Sequence, residues 1–267
     1  MNPDAHEIAR DLIKNHAAHA ELILDVGCGS GSFVRQIADE LHATPFGIDP
    51  FIADQDSSEL HLRALPAEGL SRLGRRFDLI YSVHSMHHFN NVHTFFHEVQ
   101  NTLSWSGVFI LVDWKHGART GIPERYYRLG EVLRFLESYN FKLIDYGEAG
   151  DNFYLVATLR ERCLAVATDE QGKTVFPKMF GQAPFFDLYL FKGGTFRFLE
   201  KRKNIFQKTL QHEKTLDVYD EVSECQALLA RSIGRKGQQR LKDKGVRMFF
   251  ATGEVEKAFE GIIKNNK

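Results

Sequence analysis

Two groups of residues in this 267-residue chain have the types and spacing for chemistry. The first is the turn Ile23-Leu24-Asp25-Val26-Gly27-Cys28-Gly29-Ser30-Gly31-Ser32-Phe33, with Asp49 further on in Gly47-Ile48-Asp49-Pro50. Glycines at that spacing let a ligand approach the backbone at a helix N-terminus, and an acid about twenty residues later can accept hydrogen bonds from both ribose hydroxyls. The ligand implied is one with an unphosphorylated ribose. A nicotinamide dinucleotide is disfavoured, because its fold would put a third glycine where this chain has Ser32 and normally lacks an acid where this chain has Asp25. The second group is histidine: His84, His87, His88, His93 and His97. His93 and His97 stand i, i+4 on an expected helix face, which invites a metal reading. Glu98 follows His97 directly and so turns away from the His93 face, and no carboxylate or cysteine completes a ligand set. The expectation is a polar helix surface and no metal.

The elements that position these groups alternate. Short apolar runs at Leu22–Val26, 45–48, 61–65, Phe77–Val83, 107–112, 142–146 and 153–158 read as strands, with helices at Ser32–Leu41, 92–103 and 129–139 between them. That pattern predicts a doubly wound α/β sheet of seven strands. Residues 147–152 are too few for a crossover helix, so the last strand must be reversed. Beyond residue 160 the reading is a strand at 163–168, a turn at 169–172, a hairpin of 185–191 and 195–200, a helix at 217–224, a strand at 227–233, a helix at 237–244, a strand at 246–250 and a helix at 254–263. This is a small α/β domain with a mixed sheet.

The charge divides at the same place. Residues 1–160 hold 14 Lys+Arg against 21 Asp+Glu, net −7, and residues 161–267 hold 20 against 14, net +6; eleven of the twelve histidines lie in the first part. We expect two domains, 1–160 and 161–267, abutting near Arg160 without a Pro/Gly/Ser linker. Over the whole chain the formal net charge is −1, which gives no long-range field favouring nucleic acid or anionic lipid. No run reaches the roughly 18 apolar residues of a membrane-spanning helix. The first sixteen residues read as a polar amphipathic helix rather than a leader, so the expected location is the cytoplasm. Cys28, Cys163 and Cys225 are an odd, widely spaced set in a chain large enough to need no staples, and no structural disulfide is expected.

Asp25-Val26-Gly27-Cys28-Gly29-Ser30-Gly31, Gly47-Ile48-Asp49, Phe77-Asp78-Leu79-Ile80 and Ser85-Met86-His87-His88-Phe89 resemble the class I S-adenosylmethionine-dependent methyltransferases over residues 15–160 or so. The resemblance implies that S-adenosyl-L-methionine is the cofactor. It assigns Asp25, Gly27, Cys28, Gly29 and Gly31 to its methionine part and Asp49 and Pro50 to its ribose, with Ala64, Leu65, Ser82 and Val83 flanking the rest. Arg63 stands where many members carry an acid near the adenine amino group. Methyl transfer from a sulfonium is an in-line displacement for which proximity suffices, a base being needed only when the acceptor holds a proton. Residues 82–88 and Asp113-Trp114-Lys115-His116 are the expected acceptor walls, and His84 or His87 is the candidate base, the alternative being that they close the pocket.

Leu164-Ala165-Val166-Ala167-Thr168-Asp169, Phe180-Gly181-Gln182-Ala183-Pro184-Phe185-Phe186, Ile233-Gly234-Arg235-Lys236-Gly237 and Leu241-Lys242-Asp243-Lys244-Gly245-Val246 resemble the dinitrogenase iron-molybdenum cofactor biosynthesis family. This implies a ribonuclease-H-like domain for an iron-sulfur or iron-molybdenum species. Met179 stands where many relatives have a histidine, and Cys225 and His212 are the other soft donors outside the first strand. Arg231, Arg235, Lys236 and Arg240 surround a glycine-flanked helix start, where an anionic metallocluster or an acidic protein partner would fit. The sequence therefore reads as a methyltransferase for a small-molecule or metal-linked acceptor. The rival is a non-catalytic metallocluster carrier or assembly protein that senses S-adenosylmethionine.

Overall fold

The computed structural model describes residues 4–57, 59–121, 124–207 and 215–265, and the chain divides into two compact units, Met1–Leu159 and Arg160–Lys267. In the first unit the strands are β1 (Leu22–Val26), β2 (Thr44–Ile48), β3 (Gln55–Asp56), β4 (His61–Arg63), β5 (Phe77–Val83), β6 (Leu103–Trp114), β7 (Phe141–Ala149) and β8 (Asn152–Leu159). The helices are α1 (Ala5–His16), α2 (Ser32–Leu41), α3 (Val92–Thr102) and α4 (Leu129–Glu137). The sheet runs β3-β4-β2-β1-β5-β6-β8-β7. All seven expected strands are present, and the two-residue edge strand β3, antiparallel to β4, makes eight.

Strand alternation explains the two faces. Leu24 and Val26 of β1 point into a core closed by α3 and α4, in which Phe95, Phe96, Phe109 and Phe141 interlock. Ile23 points to the opposite face, where Leu12 and Ile13 of α1 and Val34 and Ile37 of α2 cover Leu79, Tyr81 and Ile110. Because β1 is flanked by β2 and β5, both parallel to it, its carboxyl end opens at the centre of the sheet. β8 is antiparallel to both β6 and β7; the hairpin is tighter than the sequence implies, turning through Gly150 (φ 60°) and Asp151 alone. Helix starts follow capping chemistry: the Asp4 side chain accepts from the His6 amide, and Asn91 caps α3 through the Thr94 amide.

The second unit contains β9 (Glu161–Thr168), β10 (Thr174–Val175), β11 (Phe185–Lys192), β12 (Thr195–Lys203), β13 (Ala227–Ala230), β14 (Arg247–Phe250) and β15 (Gly253–Glu254), with α5 (Thr215–Asp220), α6 (Arg235–Asp243) and α7 (Val255–Asn265). β12, β11 and β9 are antiparallel, and β13 and β14 continue the sheet parallel to β9. Its mixed sheet is the one expected, with Phe180, Phe186, Val218, Leu228 and Leu241 in the core. Among the described residues, no helix is long and apolar enough to cross a membrane.

One expectation is overturned. Cys163 and Cys225 form a disulfide, with Cα atoms 4.3 Å apart. Their separation of 62 residues hides the contact in the sequence, but β13 pairs parallel to β9 with Ala227 opposite Leu164, which carries Cys225 back beside Cys163. Thiol titration of the denatured, unreduced protein should therefore count one free thiol, Cys28. A count of three would refute the pairing.

Candidate active site

The turn after β1 is tied to the end of β2. The amides of Gly27 and Cys28 both donate to the Ile48 carbonyl, at 2.8 and 3.0 Å. The Asp49 carboxylate accepts from the Gly29 amide at 3.1 Å through one oxygen and from the Phe51 amide at 2.9 Å through the other. An ionised carboxylate has about four acceptor sites, so two stay available for a diol. The glycines are required by geometry. Gly27 and Gly29 have φ of 83° and 50°, and Gly31, with φ 75°, is the N-cap of α2. A Cβ on Gly27 would lie 2.3 Å from Ser85 Oγ, whereas one on Gly29 would meet nothing within 4 Å. The open side of the turn is thus over Gly29, and Ser85 closes the other.

Asp25 lies beneath that turn, 4% exposed. Burial pushes its carboxyl up to about 8; the Tyr81 hydroxyl opposes the shift, and the Asp49 carboxylate adds to it. Cys28 is also buried, and its thiol is pushed up to about 12 by burial, with Asp25 and Asp49 contributing. Gly47 makes room for it, since a Cβ there would sit 2.6 Å from the Cys28 sulfur. Pro50 and Ala64 are exposed, Leu65 is half-buried, and Ser82 and Val83 are buried, with Ser82 Oγ donating to the Val26 carbonyl at 2.9 Å. Ala64 donates its amide to Asp54 at 2.7 Å. Arg63 is turned to the sheet edge, where it holds Asp56 at 2.8 Å and the Gln55 carbonyl.

The histidines divide by environment. His84 ends β5 in a left-handed conformation (φ 50°), stacks on Trp114 at 4.0 Å between ring centroids, and places Nε2 2.6 Å from Asn152 Oδ1. Burial lowers its pKa, so the ring is neutral near pH 7. His87 and His88 lie in a 3-10 turn, Met86–His88. His87 Nδ1 is 2.6 Å from Asp113 Oδ1, and the His87 amide donates to the other oxygen of Asp113, which is 1% exposed. Glu124 then approaches His87 Nε2 at 3.2 Å and His88 Nδ1 at 3.4 Å. The sequence offered no carboxylate for the histidine group; Glu124 is that carboxylate, brought in by the stretch between β6 and α4. His93 and His97 do not join it: His93 faces Tyr139 at 3.2 Å and His97 faces Asn101.

Three further residues were not foreseen. Phe51 follows the ribose-binding candidate with its side chain 94% exposed, Asn152 partners His84, and Glu124 closes on His87 and His88. An apolar ring two residues after the candidate ribose-binding acid is the signal that the sequence carried for Phe51.

Among the described residues of the second unit, the donors do not fit a metal cluster. Cys163 and Cys225 are bonded to each other, and Met179, 45% exposed, remains as a soft donor, while His212 lies outside the described residues. Arg231, in the basic group, donates to the Pro177 carbonyl.

Residues 5–140 match the profile of a family described as "Methyltransferase domain". The chain belongs to that family. Residues 161–265 match a second, described as "Dinitrogenase iron-molybdenum cofactor". No curated protein sequence matches the chain. Solved structures similar to it include a 1,6-didemethyltoxoflavin-N1-methyltransferase of Burkholderia thailandensis, 19% identical, covering 58% of this chain and 77% of its own, with a TM-score of 0.48. A TehB-like methyltransferase of Corynebacterium glutamicum is 19% identical and covers 56% and 86%, with a TM-score of 0.47. A magnesium protoporphyrin IX methyltransferase of Synechocystis PCC 6803 is 14% identical and covers 57% and 83%, with a TM-score of 0.44.

Two properties of the methyltransferase domain's turn can be measured. Gly27→Ala combines a left-handed backbone with a collision and should cost at least about 2 kcal/mol in denaturant unfolding, while Gly29→Ala should cost about 1 kcal/mol, the backbone term alone. Equal costs would contradict the packing of Ser85 on Gly27. Asp25 holds its proton more tightly folded than unfolded, so its contribution to stability is complete below pH 4 or so and declines as pH rises toward 8. Comparing unfolding midpoints of wild type and Asp25→Asn from pH 4 to 8 should show the wild type losing ground steadily; parallel curves would refute it.

Proposed function

We propose that the chain is an S-adenosylmethionine-dependent methyltransferase acting on a small-molecule or metal-linked acceptor. The observation that supports this most is the Asp49 carboxylate, fixed by two backbone amides beside a glycine turn that is open over Gly29. In this reading the backbone of Gly27 to Gly31 receives the amino-acid end of the donor, and Asp49 takes the ribose diol. The exposed ring of Phe51 offers a stacking surface to the purine. Ala64 and Leu65 border the purine side, with Ser82 and Val83 behind the turn.

The donor supplies a methyl group on a sulfonium, which leaves without a proton. The chain's contribution is to hold donor and acceptor in line and to keep water away from them. Trp114 and His84, stacked at the carboxyl ends of β6 and β5, form one wall. His84 is neutral near pH 7 and can take a proton from an acceptor that brings one, whereas His87 is engaged at both ring nitrogens. We assign the second unit to binding an acidic partner or anionic ligand; the net charge of +6 over residues 161–267 supports that role, and the donors among its described residues argue against a cluster carrier.

Calorimetric titration of the full chain with S-adenosylmethionine and with S-adenosylhomocysteine tests the donor site. Asp49→Ala should weaken both by about tenfold or more, the scale of losing hydrogen bonds to a charged group. Unchanged affinity would remove the assignment.

A further inference from the structure

We infer that His87, His88 and Glu124 form a binding site for one divalent transition-metal ion, with Asp113 orienting His87 from behind. The ligand atoms of the three residues lie within 4.8 Å of one another. Glu124 carboxylate oxygens stand 3.2 Å from His87 Nε2 and 3.4 Å from His88 Nδ1. Ligand atoms about 2.0–2.2 Å from a tetrahedral zinc-sized ion are roughly 3.4 Å apart, and the two imidazole–carboxylate separations, one to each Glu124 oxygen, are close to that spacing.

The hydrogen-bond geometry points the same way. With Nδ1–H of His87 donating to Asp113, the Nε2 lone pair is aimed at a carboxylate, and two lone-pair carriers meet at 3.2 Å only across a proton or a cation. Both rings turn a nitrogen toward the Glu124 carboxylate and lie 4.1 Å apart between centroids, close enough for one cation to meet all three groups. One dication satisfies both rings and the carboxylate together. The buried Asp113, which also accepts the His87 amide, is the carboxylate that fixes the tautomer of a metal-bound histidine.

Two imidazoles and a carboxylate suit zinc or ferrous iron rather than calcium or magnesium. Three protein ligands leave at least one position open, and His88, 59% exposed, sets that position toward solvent. The open position takes an oxygen or sulfur donor, the chemistry of a hydroxyl, carboxylate or thiol on a small molecule. That this molecule is the methyl acceptor rests on the methyltransferase reading; the metal site does not.

Cobalt(II) is the probe, added as its chloride to the full chain after treatment with a chelator, without any nucleoside. The wild type should bind one equivalent displaceable by zinc, with the visible absorption of low-coordinate cobalt. Glu124→Gln and His88→Ala should each weaken binding tenfold or more, and Asp113→Asn by about tenfold to hundredfold. His88→Ala alters an exposed side chain, and far-UV circular dichroism confirms that it folds. Acetohydroxamate should perturb the cobalt spectrum by entering the open position. Absence of cobalt uptake by the wild type, or uptake unaffected in both Glu124→Gln and His88→Ala, overturns the site; a spectrum indifferent to acetohydroxamate overturns the open position. Because no donor is present, failure here leaves the Asp49 titration standing, and the reverse holds too.

Discussion

The Asp49 carboxylate is the constraint on which the first unit's chemistry depends. It takes one amide from each side of a gap, Gly29 from the turn after β1 and Phe51 from the loop after β2, while the Ile48 carbonyl collects two more amides from that turn. Three hydrogen bonds thus join the two strand ends, and a fourth, from the Phe51 amide, fixes the carboxylate from its own side. A site fixed in this way loses little conformational entropy on binding, which is where much of the cost of association arises. The carboxylate oxygens also need no rearrangement, because they are positioned by backbone amides rather than by mobile side chains.

The same carboxylate shapes what lies below it. Asp25 is buried on the face shared with Ile23 and Tyr81, and Asp49 is among the causes that keep its proton on. A protonated Asp25 can donate where a carboxylate could only accept, so two acids near one turn take different roles through their surroundings. Cys28 sits against Gly47 in the same layer, its thiol held unreactive. The acid and cysteine of the turn thereby support its underside, and its open side over Gly29 is largely backbone.

Much of this was legible in the sequence. The bounds of β1, β5 and α2 follow directly from apolar runs and the glycine turn, because local periodicity and a helix start decide them. The left-handed glycines of the turn were legible for the same reason: positive φ leaves few other residues. The edge strand β3 was not, since two polar residues carry no period, and its pairing depends on Arg63 and His61 reaching Asp56 across the sheet edge. Neither was Glu124. It lies 36 residues beyond His88, in an irregular stretch whose course is set by tertiary contacts, and no spacing rule connects a loop carboxylate to a 3-10 turn. The Cys163–Cys225 pair was hidden similarly, since only the parallel register of β13 on β9 brings the two together.

That pairing bears on the second unit's role. Residues 161–265 match a family described by its iron-molybdenum cofactor, yet a thiol in a disulfide is no thiolate ligand, and Met179 is a weak donor for a borderline metal. The first unit shows the opposite: two imidazoles and two carboxylates converge there within a few ångströms. Hard and borderline donors are thus concentrated in the acidic half of the chain, and positive charge in the other. An anion-binding surface needs no metal ligands, and a metal site needs no net positive charge, so the uneven histidine and charge distribution is what separate tasks for the two halves would require.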